Sequence, residues 1–137
     1  MMLPSWGEEI KTMPNEQIHF TTRVLGPAAV YRLEKHQVTQ TLRSESSSIT
    51  NAILLGRVSA GDRLEVLLDN VLVGEAELVS MDAVTWEALD IEDARRGGFD
   101  TLGGLEKAFR RAGYRFKPMN MYTLYRVQFS WLEEVHA

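Results

Sequence analysis

Five stretches of the chain have the residue pattern of β-strands, and apolar and polar residues alternate most clearly in the first and the last of them. Alternation with a period of two is typical of β-strands that bury one face. The longest stretch, residues 122–132, places Tyr125, Val127, Phe129 and Trp131 on one face. The other four predicted strands are residues 17–24, 38–43, 62–68 and 71–79. We therefore predict a mainly β core, with residues 122–132 in the centre of the sheet.

The third and fourth predicted strands are separated only by Asp69 and Asn70. A two-residue connection made of turn-forming residues predicts a β-hairpin. Gly74 lies within the second strand of this hairpin, where glycine indicates a bulge or the close approach of another group.

Three segments have helical character. Residues 26–36 carry a proline near the start, which suits a first helical turn. Residues 85–96 are predicted as one helix or a pair of short helical turns, ended by Gly97 and Gly98. Residues 102–112 follow a capping residue, Thr101, and precede Gly113. Residues 44–51 are polar and aperiodic, so we predict a mobile loop there.

The length and composition fit one domain with a packed core. The chain has 137 residues, of which 45% are hydrophobic. Early prolines and a glycine indicate an N-terminal arm over residues 1–16, which leaves 17–137 as the domain. The absence of cysteine excludes disulfides and thiol chemistry. Neither a signal peptide nor a membrane span is evident, so we expect a cytoplasmic protein that does not engage a membrane.

Charge is segregated along the chain. The net charge of −4 argues weakly against nucleic-acid binding. However, residues 82–93 contain acids and no base, whereas residues 106–117 contain five basic residues and one acid. A basic face is therefore possible on an acidic protein.

The order of short motifs carries more information than any one of them. A short helix leads into a T-x-T-x-R strand formed by Thr39, Thr41 and Arg43. The features that follow are a polar loop, Gly61-Asp62 before an apolar strand, Ala94 with Gly98-Phe99, a helix, and a closing strand with Val127 and Phe129. This order resembles the ASCH domain, a branch of the PUA-like barrels, over residues 28–132.

The resemblance implies an α+β fold. The expected architecture is a small, partly closed, mixed β-barrel of five to six strands with two to three short helices. The strands and helices predicted above point to the same architecture independently. The resemblance also implies that RNA or a nucleotide binds in a cleft between barrel and helices.

One branch of the family deacetylates N4-acetylcytidine and has the pattern G-x-K-T-x-T-x-R. Here Thr41 and Arg43 match that pattern, but Val38 stands in the lysine position. The glutamate of the branch corresponds to Gly97. Amide hydrolysis requires an activated nucleophile and a group that moves its proton. We therefore expect no deacetylase activity, unless Lys35 replaces the amine and Glu92 or Asp93 replaces the acid.

The candidate binding residues combine hydroxyl, basic and aromatic side chains. Basic groups contact phosphates and aromatic rings stack on bases. The candidates for RNA contact are Thr39, Thr41, Arg43, Lys107, Arg110, Arg111, Tyr114, Arg115 and Lys117. The candidates for catalysis are Thr41 and Lys35. A plain strand surface and a solvated helix face are the alternative interpretations of these residues.

Three functions remain open on the sequence alone. The first is an RNA- or nucleotide-binding module without catalysis. The second is a small enzyme, either a ribonuclease or an N4-acetylcytidine amidohydrolase. The third is a barrel that binds a protein or a small ligand. We expect no metal and no cofactor, because the three histidines lie far apart in sequence and no phosphate-loop pattern is present.

Overall fold

The computed structural model describes residues 15–114 and 123–133. The strands are β1 (Glu16–Phe20), β2 (Gln40–Ser44), β3 (Arg63–Leu68), β4 (Val71–Val84) and β5 (Leu124–Trp131). The helices are α1 (Thr22–Leu25), α2 (Pro27–Glu34), α3 (Ser48–Leu54), α4 (Ile91–Arg96) and α5 (Leu102–Arg111), with a 3-10 turn at Trp86–Ala88. Most of the predicted N-terminal arm, residues 1–14, lies outside the described residues.

The described strands form one mixed sheet in the order β1-β3-β4-β5-β2. β1 runs parallel to β3, and the other three pairings are antiparallel. The sheet is a half-barrel whose two edge strands are β1 and β2. The expected α+β, partly closed barrel is confirmed. The described chain contains five α-helices, which is more than the two to three that we expected.

β5 separates two clusters of apolar side chains. It pairs with a strand on each side, as predicted for an interior strand. Val127 and Phe129 belong to the main core together with residues of β1, β3 and β4. Leu124, on the other face, packs with Leu105 and Phe109 of α5. The sheet therefore has α5 against one face and the main core, to which α1, α2 and α3 also contribute, against the other.

The predicted hairpin between β3 and β4 is present. Asp69 and Asn70 have φ angles of 49° and 66°, the positive values that a type I′ turn requires. Val66 pairs with Gly74 and Leu67 with Leu72, so one residue, Val73, is bulged out. The bulge and close approach predicted at Gly74 both occur.

Replacing Gly74 with alanine is expected to lower the free energy of unfolding by about 1–3 kcal/mol. The added Cβ would lie 2.8 Å from His36 Nε2 and 3.0 Å from the Trp131 ring. These two rings stack with centroids 3.9 Å apart, so neither moves aside without losing contact. Urea denaturation measures the effect.

The matched control is Gly103→Ala on α5, where the added Cβ meets nothing closer than 3.8 Å. We expect this control to raise stability by about 0.5 kcal/mol, because alanine favours helix. Equal effects at the two positions would contradict the role given to Gly74.

The first predicted strand is too long at its C-terminal end. It ends at Phe20, because Thr21 caps α1 through its side-chain oxygen, which accepts a hydrogen bond from the Val24 N–H at 3.3 Å. Asp69 of the hairpin turn accepts hydrogen bonds from the N–H and hydroxyl of Thr22, and these lower the pKa of Asp69. Contacts with a distant turn therefore override the local alternation.

The prediction of a mobile loop over residues 44–51 was wrong in its second half. Ser48–Leu54 is the helix α3, in which Ile49 and Ala52 are fully buried. The serine-rich start of the segment hides an apolar stripe at helical spacing. α3 packs near β1 and so lies beside the open side of the half-barrel.

The two predicted C-terminal helical segments are confirmed. Residues 85–96 form a 3-10 turn followed by α4, which is the pair of short turns expected. The Thr101 hydroxyl accepts a hydrogen bond from the Gly104 N–H at 3.0 Å and caps α5. Among the described residues, no helix has both the length and the apolarity that a membrane crossing requires.

Candidate functional site

A cavity of about 510 Å³ lies beside β2. Its walls come from the end of β1, from α1, from all five residues of β2, from Asp93 of α4, and from α5 with Tyr114. The volume falls within the range of about 300–1,000 Å³ that is usual for small-molecule sites. Among the described strands, β2 is one edge of the sheet, and the cavity extends from it to the end of β1 at the other edge.

Arg43 crosses the gap between the two edges of the sheet, which we call the seam. Its Nη2 donates to the carbonyl oxygen of His19 on β1 at 2.8 Å. Its Nε donates to Thr41 Oγ1, also at 2.8 Å, and the guanidinium lies 5.0 Å from the centre of the Phe20 ring. The described hydrogen bonds of Arg43 therefore use two of its three nitrogens.

The charge of Arg43 is held in a half-buried position. Burial lowers the pKa of Arg43 to about 10, while the neighbouring Tyr114 acts in the opposite direction. The side chain is still a cation at neutral pH. In the wall of the cavity, as far as the described residues form it, Arg43 is the one lysine or arginine. An anionic group in this cavity would meet a partly desolvated guanidinium.

Asp93 is the acid in the cavity wall, and it is only 2% exposed. Its Oδ1 accepts hydrogen bonds from Gln40 Nε2 and from Arg126 Nη1, both at 2.9 Å. Its Oδ2 accepts from the Asp90 N–H at 3.0 Å, within a capping box at the start of α4. Arg126 in turn pairs with Asp82 on β4 at 2.7 Å.

These contacts fix the ionisation of Asp93. Burial alone would raise its pKa, but the hydrogen bonds from Gln40, Asp90 and Arg126 outweigh burial and hold the pKa of Asp93 below its ordinary value. The carboxyl group is thus ionised at neutral pH and its charge is compensated by Arg126. It is poorly suited to donate a proton.

A row of polar side chains across three strands orients Gln40. Ser80 donates to Gln128 Oε1 at 3.1 Å, and Gln128 Nε2 donates to Gln40 Oε1 at 2.9 Å. These residues are direct register partners, since Gln40 faces Gln128 and Gln128 faces Ser80. The Gln40 amide therefore has its oxygen towards Gln128 and its nitrogen towards Asp93.

Aromatic rings form a further part of the wall. Tyr114 and Phe109 meet edge to face, with centroids 5.1 Å apart. Phe109 is buried in the second apolar cluster, whereas Tyr114 is half-buried and lines the cavity. The rigid packing of Phe109 supports the Tyr114 ring at the rim of the cavity.

The structure brings together three of the residues predicted as a site. Thr41, Arg43 and Tyr114 all line the cavity. Thr39 and Lys35 are not among the described lining residues. The Thr39 N–H donates to the Arg96 carbonyl at 2.9 Å, and the Lys35 ammonium lies 5.6 Å from the centre of the Tyr31 ring.

The predicted basic residues of α5 lie outside the cavity wall. Lys107 is exposed, and Arg110 pairs with Glu106 at 2.7 Å. Arg111 donates to the carbonyl oxygens of Val24 at 2.8 Å and Leu25 at 3.3 Å, so it fastens α5 to α1. Arg115 and Lys117 lie outside the described residues.

The chain is similar to known proteins in its fold and not in its sequence. No family model matches the chain, and no curated protein matches it in sequence. The crystal structure of the ASCH domain from Lactobacillus crispatus JV V101 matches with a TM-score of 0.55, over 90% of this chain and 84% of that one. The chain has the ASCH-domain fold.

A second solved structure agrees with this assignment. A protein of Enterococcus faecalis V583 from the DUF984 family matches the ASCH fold of this chain with a TM-score of 0.58, over 98% of this chain and 94% of that one. Both structures are 13% identical to this chain in sequence. The expected ASCH fold is confirmed, and the roles of individual residues rest on the geometry above.

The two residues that depart from the deacetylase pattern, Val38 and Gly97, lie in different parts of the structure. Val38 is fully buried in the main core, and its carbonyl oxygen accepts a hydrogen bond from Trp131 Nε1 at 2.7 Å. Gly97 lines the cavity and offers no side chain. Sequence reasoning missed Gln40 as a wall residue. It named Asp93 only as a substitute acid, although the spacing of Asp90 and Asp93 before an apolar segment is a recognisable capping signal.

Proposed function

We propose that this ASCH-fold protein binds a nucleotide, either free or as part of an RNA, in the cavity beside β2. The observation that carries the proposal is Arg43, a partly desolvated guanidinium in a cavity of nucleotide size. A charge-assisted hydrogen bond from a guanidinium to phosphate is among the stronger polar contacts. Nη1 is the nitrogen of Arg43 that no described hydrogen bond uses.

Tyr114, a neighbour of Arg43 in the cavity wall, supports the same proposal. A base that stacks on an aromatic side chain gains about 1–3 kcal/mol. The edge-to-face contact with Phe109 leaves the Tyr114 ring in a fixed orientation at low entropic cost. Phosphate on Arg43 and base near Tyr114 would together account for the polar and the apolar parts of the wall.

The described cations favour contact with one phosphate rather than with a long backbone. Arg110 has an ion pair, Arg111 is bound to main-chain carbonyls, and Lys107 lies outside the cavity. Each phosphate contact contributes to the dependence of affinity on salt. We therefore propose that the unit bound in the cavity is a single nucleotide, with RNA as the source of that nucleotide where RNA is the partner.

Hydrolysis is the second candidate function, because Thr41 and Asp93 line the same cavity. Three features argue against it. Thr41 Oγ1 accepts a hydrogen bond from Arg43 Nε, and a guanidinium does not take up a proton. Asp93 already accepts three hydrogen bonds, which hold it ionised. Lys35 does not line the cavity. We propose binding without turnover of N4-acetylcytidine or RNA.

Calorimetric titration with nucleoside 5′-monophosphates tests the proposal. We expect binding of a monophosphate, with an affinity that falls less than about tenfold for a tenfold rise in salt, as one phosphate contact requires. The corresponding nucleoside, which lacks phosphate, should bind at least tenfold more weakly. Absence of binding by all monophosphates would contradict the proposal.

The same protein preparation incubated with N4-acetylcytidine and with total RNA separates the two functions. We expect unchanged substrate by chromatography. Product formation that disappears in a Thr41→Ala variant would replace the binding proposal with the enzymatic one.

A further inference from the structure

The main chain of β2 offers hydrogen-bonding groups that no other described strand uses. Among the described strands, β2 pairs only with β5, so one side of its backbone faces away from the sheet. All five of its residues, from Gln40 to Ser44, line the cavity. We propose that this free edge, at Gln40 and Leu42, reads the hydrogen-bonding edge of the nucleobase. This inference rests on the proposed nucleotide-binding function.

The register shows which groups face the cavity. The Phe129 N–H donates to the Thr39 carbonyl at 3.0 Å, and these residues are direct partners one step before the ladder of β2 and β5. In an antiparallel pair, residues that exchange hydrogen bonds alternate with residues that do not. Thr41 and Arg43 therefore direct their backbone groups at β5. Gln40 and Leu42 direct theirs at the cavity.

Outside the ladder of β2 and β5, no hydrogen bond between described backbone groups uses the N–H or C=O of Gln40 or Leu42. Gln40 is only 1% exposed and Leu42 is half-buried. Buried backbone groups are nearly always paired, with protein, water or a ligand. This stretch of main chain is therefore a set of donors and acceptors available to a molecule that enters the cavity.

The length of the free edge favours a base over a peptide. The Ser44 carbonyl already accepts a hydrogen bond from the Ser47 N–H at 3.1 Å, so a turn ends the edge after Leu42. Arg43 crosses the seam towards His19 and restricts the passage of a longer chain. Peptides that add to a sheet pair along an extended row of backbone groups. Two residues instead match the width of one base.

The chemistry of the edge also suits a base. Along an extended strand, the C=O of Gln40 and the N–H of Leu42 lie on the same side and form an acceptor next to a donor. Every nucleobase presents a neighbouring donor and acceptor on its pairing edge. Tyr114 on the cavity wall and Arg43 at the seam would then hold the base and the phosphate of the same nucleotide.

Nucleotides methylated on and off the pairing edge test the inference directly. The probes are uridine 5′-monophosphate with its N3-methyl and C5-methyl derivatives, and guanosine 5′-monophosphate with its N1-methyl derivative. We expect the N3-methyl and N1-methyl compounds to bind at least tenfold more weakly than their parents, because methylation removes a donor and obstructs contact with β2. The C5-methyl compound should differ from its parent by less than threefold.

A backbone variant gives a second measurement. Leu42→Pro removes the N–H that faces the cavity and keeps the groups that pair with β5, since the ladder does not use Leu42 N–H. Leu42→Ala is the control, and thermal melting checks both folds. We expect at least tenfold weaker binding for folded Leu42→Pro and less than threefold for Leu42→Ala. If Leu42→Pro does not fold, the methylated probes decide the question.

The outcomes separate this inference from the proposed function. If nucleotides methylated on the pairing edge bind as well as their parents, β2 does not recognise that edge of the base. Nucleotide binding itself would remain supported. Displacement of a bound nucleotide by an extended peptide, with edge methylation tolerated, would overturn it in favour of strand addition. Failure of every nucleoside 5′-monophosphate to bind would remove the proposed function, and the inference with it.

Discussion

Exchanging Arg43 for glutamine is expected to weaken the binding of a nucleoside monophosphate by at least tenfold. Hydrogen bonds to a charged group contribute about 1.5–3 kcal/mol, which corresponds to a factor of about 10 to 150 in affinity. The guanidinium of Arg43 is the one lysine or arginine charge in the described cavity wall, so no described neighbour replaces it. Calorimetric titration of wild type and variant measures the change.

Lys107→Gln is the matched control for Arg43→Gln. It removes the same charge from an exposed position on α5 that does not line the cavity. We expect less than twofold change in affinity, because exposed charges at a distance are screened by salt. If Lys107→Gln lost as much affinity as Arg43→Gln, the phosphate would instead bind at α5. Melting curves exclude unfolding, since Arg43 also spans the seam between β1 and β2.

Replacing Asp93 with alanine is expected to lower the free energy of unfolding by about 3–5 kcal/mol, the usual cost of removing one partner of a buried ion pair. The carboxylate accepts hydrogen bonds from Gln40, Arg126 and the Asp90 N–H, and each of these donors would lose this contact, although Arg126 keeps its pair with Asp82. Urea denaturation followed by circular dichroism measures the loss.

Asp100→Ala is the control for Asp93→Ala, because Asp100 pairs with Arg32 at 2.9 Å but its side chain is 78% exposed. Exposed pairs contribute about 0–1 kcal/mol. If both variants lowered the free energy of unfolding by a similarly small amount, the stabilising role of Asp93 would be contradicted.

The contribution of Asp93 should also depend on pH. Its pKa is lowered in the folded protein, so folding is favoured when the group is ionised. The stabilisation is fully present above the unfolded pKa of about 3.9. It is lost as pH falls through the folded pKa. The stability difference between wild type and Asp93→Asn should therefore shrink between pH 6 and pH 3, and a constant difference would contradict the argument.

The local sequence pattern predicted the structure correctly where residues close in sequence determine the conformation. The alternation of β5, the Asp69-Asn70 turn and the Thr101 cap all act within a few residues, and each was predicted correctly. Distant contacts explain the errors. β1 ends early because the Thr22 N–H donates a hydrogen bond to the Asp69 side chain, which lies 47 residues away in sequence. α3 was missed because its apolar residues begin inside a run of serines.

The candidate site was predictable only in part for the same reason. The T-x-T-x-R pattern led to Thr41 and Arg43 through family resemblance. Gln40 meets Asp93 across 53 residues, and no local rule brings them together. Arg111 was predicted to contact RNA because of its charge, and that role stays a prediction. Its side chain is engaged by the carbonyl oxygens of α1.

The central claim, that a nucleotide binds in the cavity against β2, is tested most directly by nuclear magnetic resonance. Isotope-labelled protein would be titrated with a nucleoside monophosphate while backbone and arginine side-chain signals are followed. The account predicts the largest shifts at Leu42, at the Arg43 Nε–H and at Tyr114, with Lys107 and the exposed face of α5 unchanged. Shifts concentrated on α5 outside the cavity, or no shifts at β2 in the presence of bound nucleotide, would contradict it.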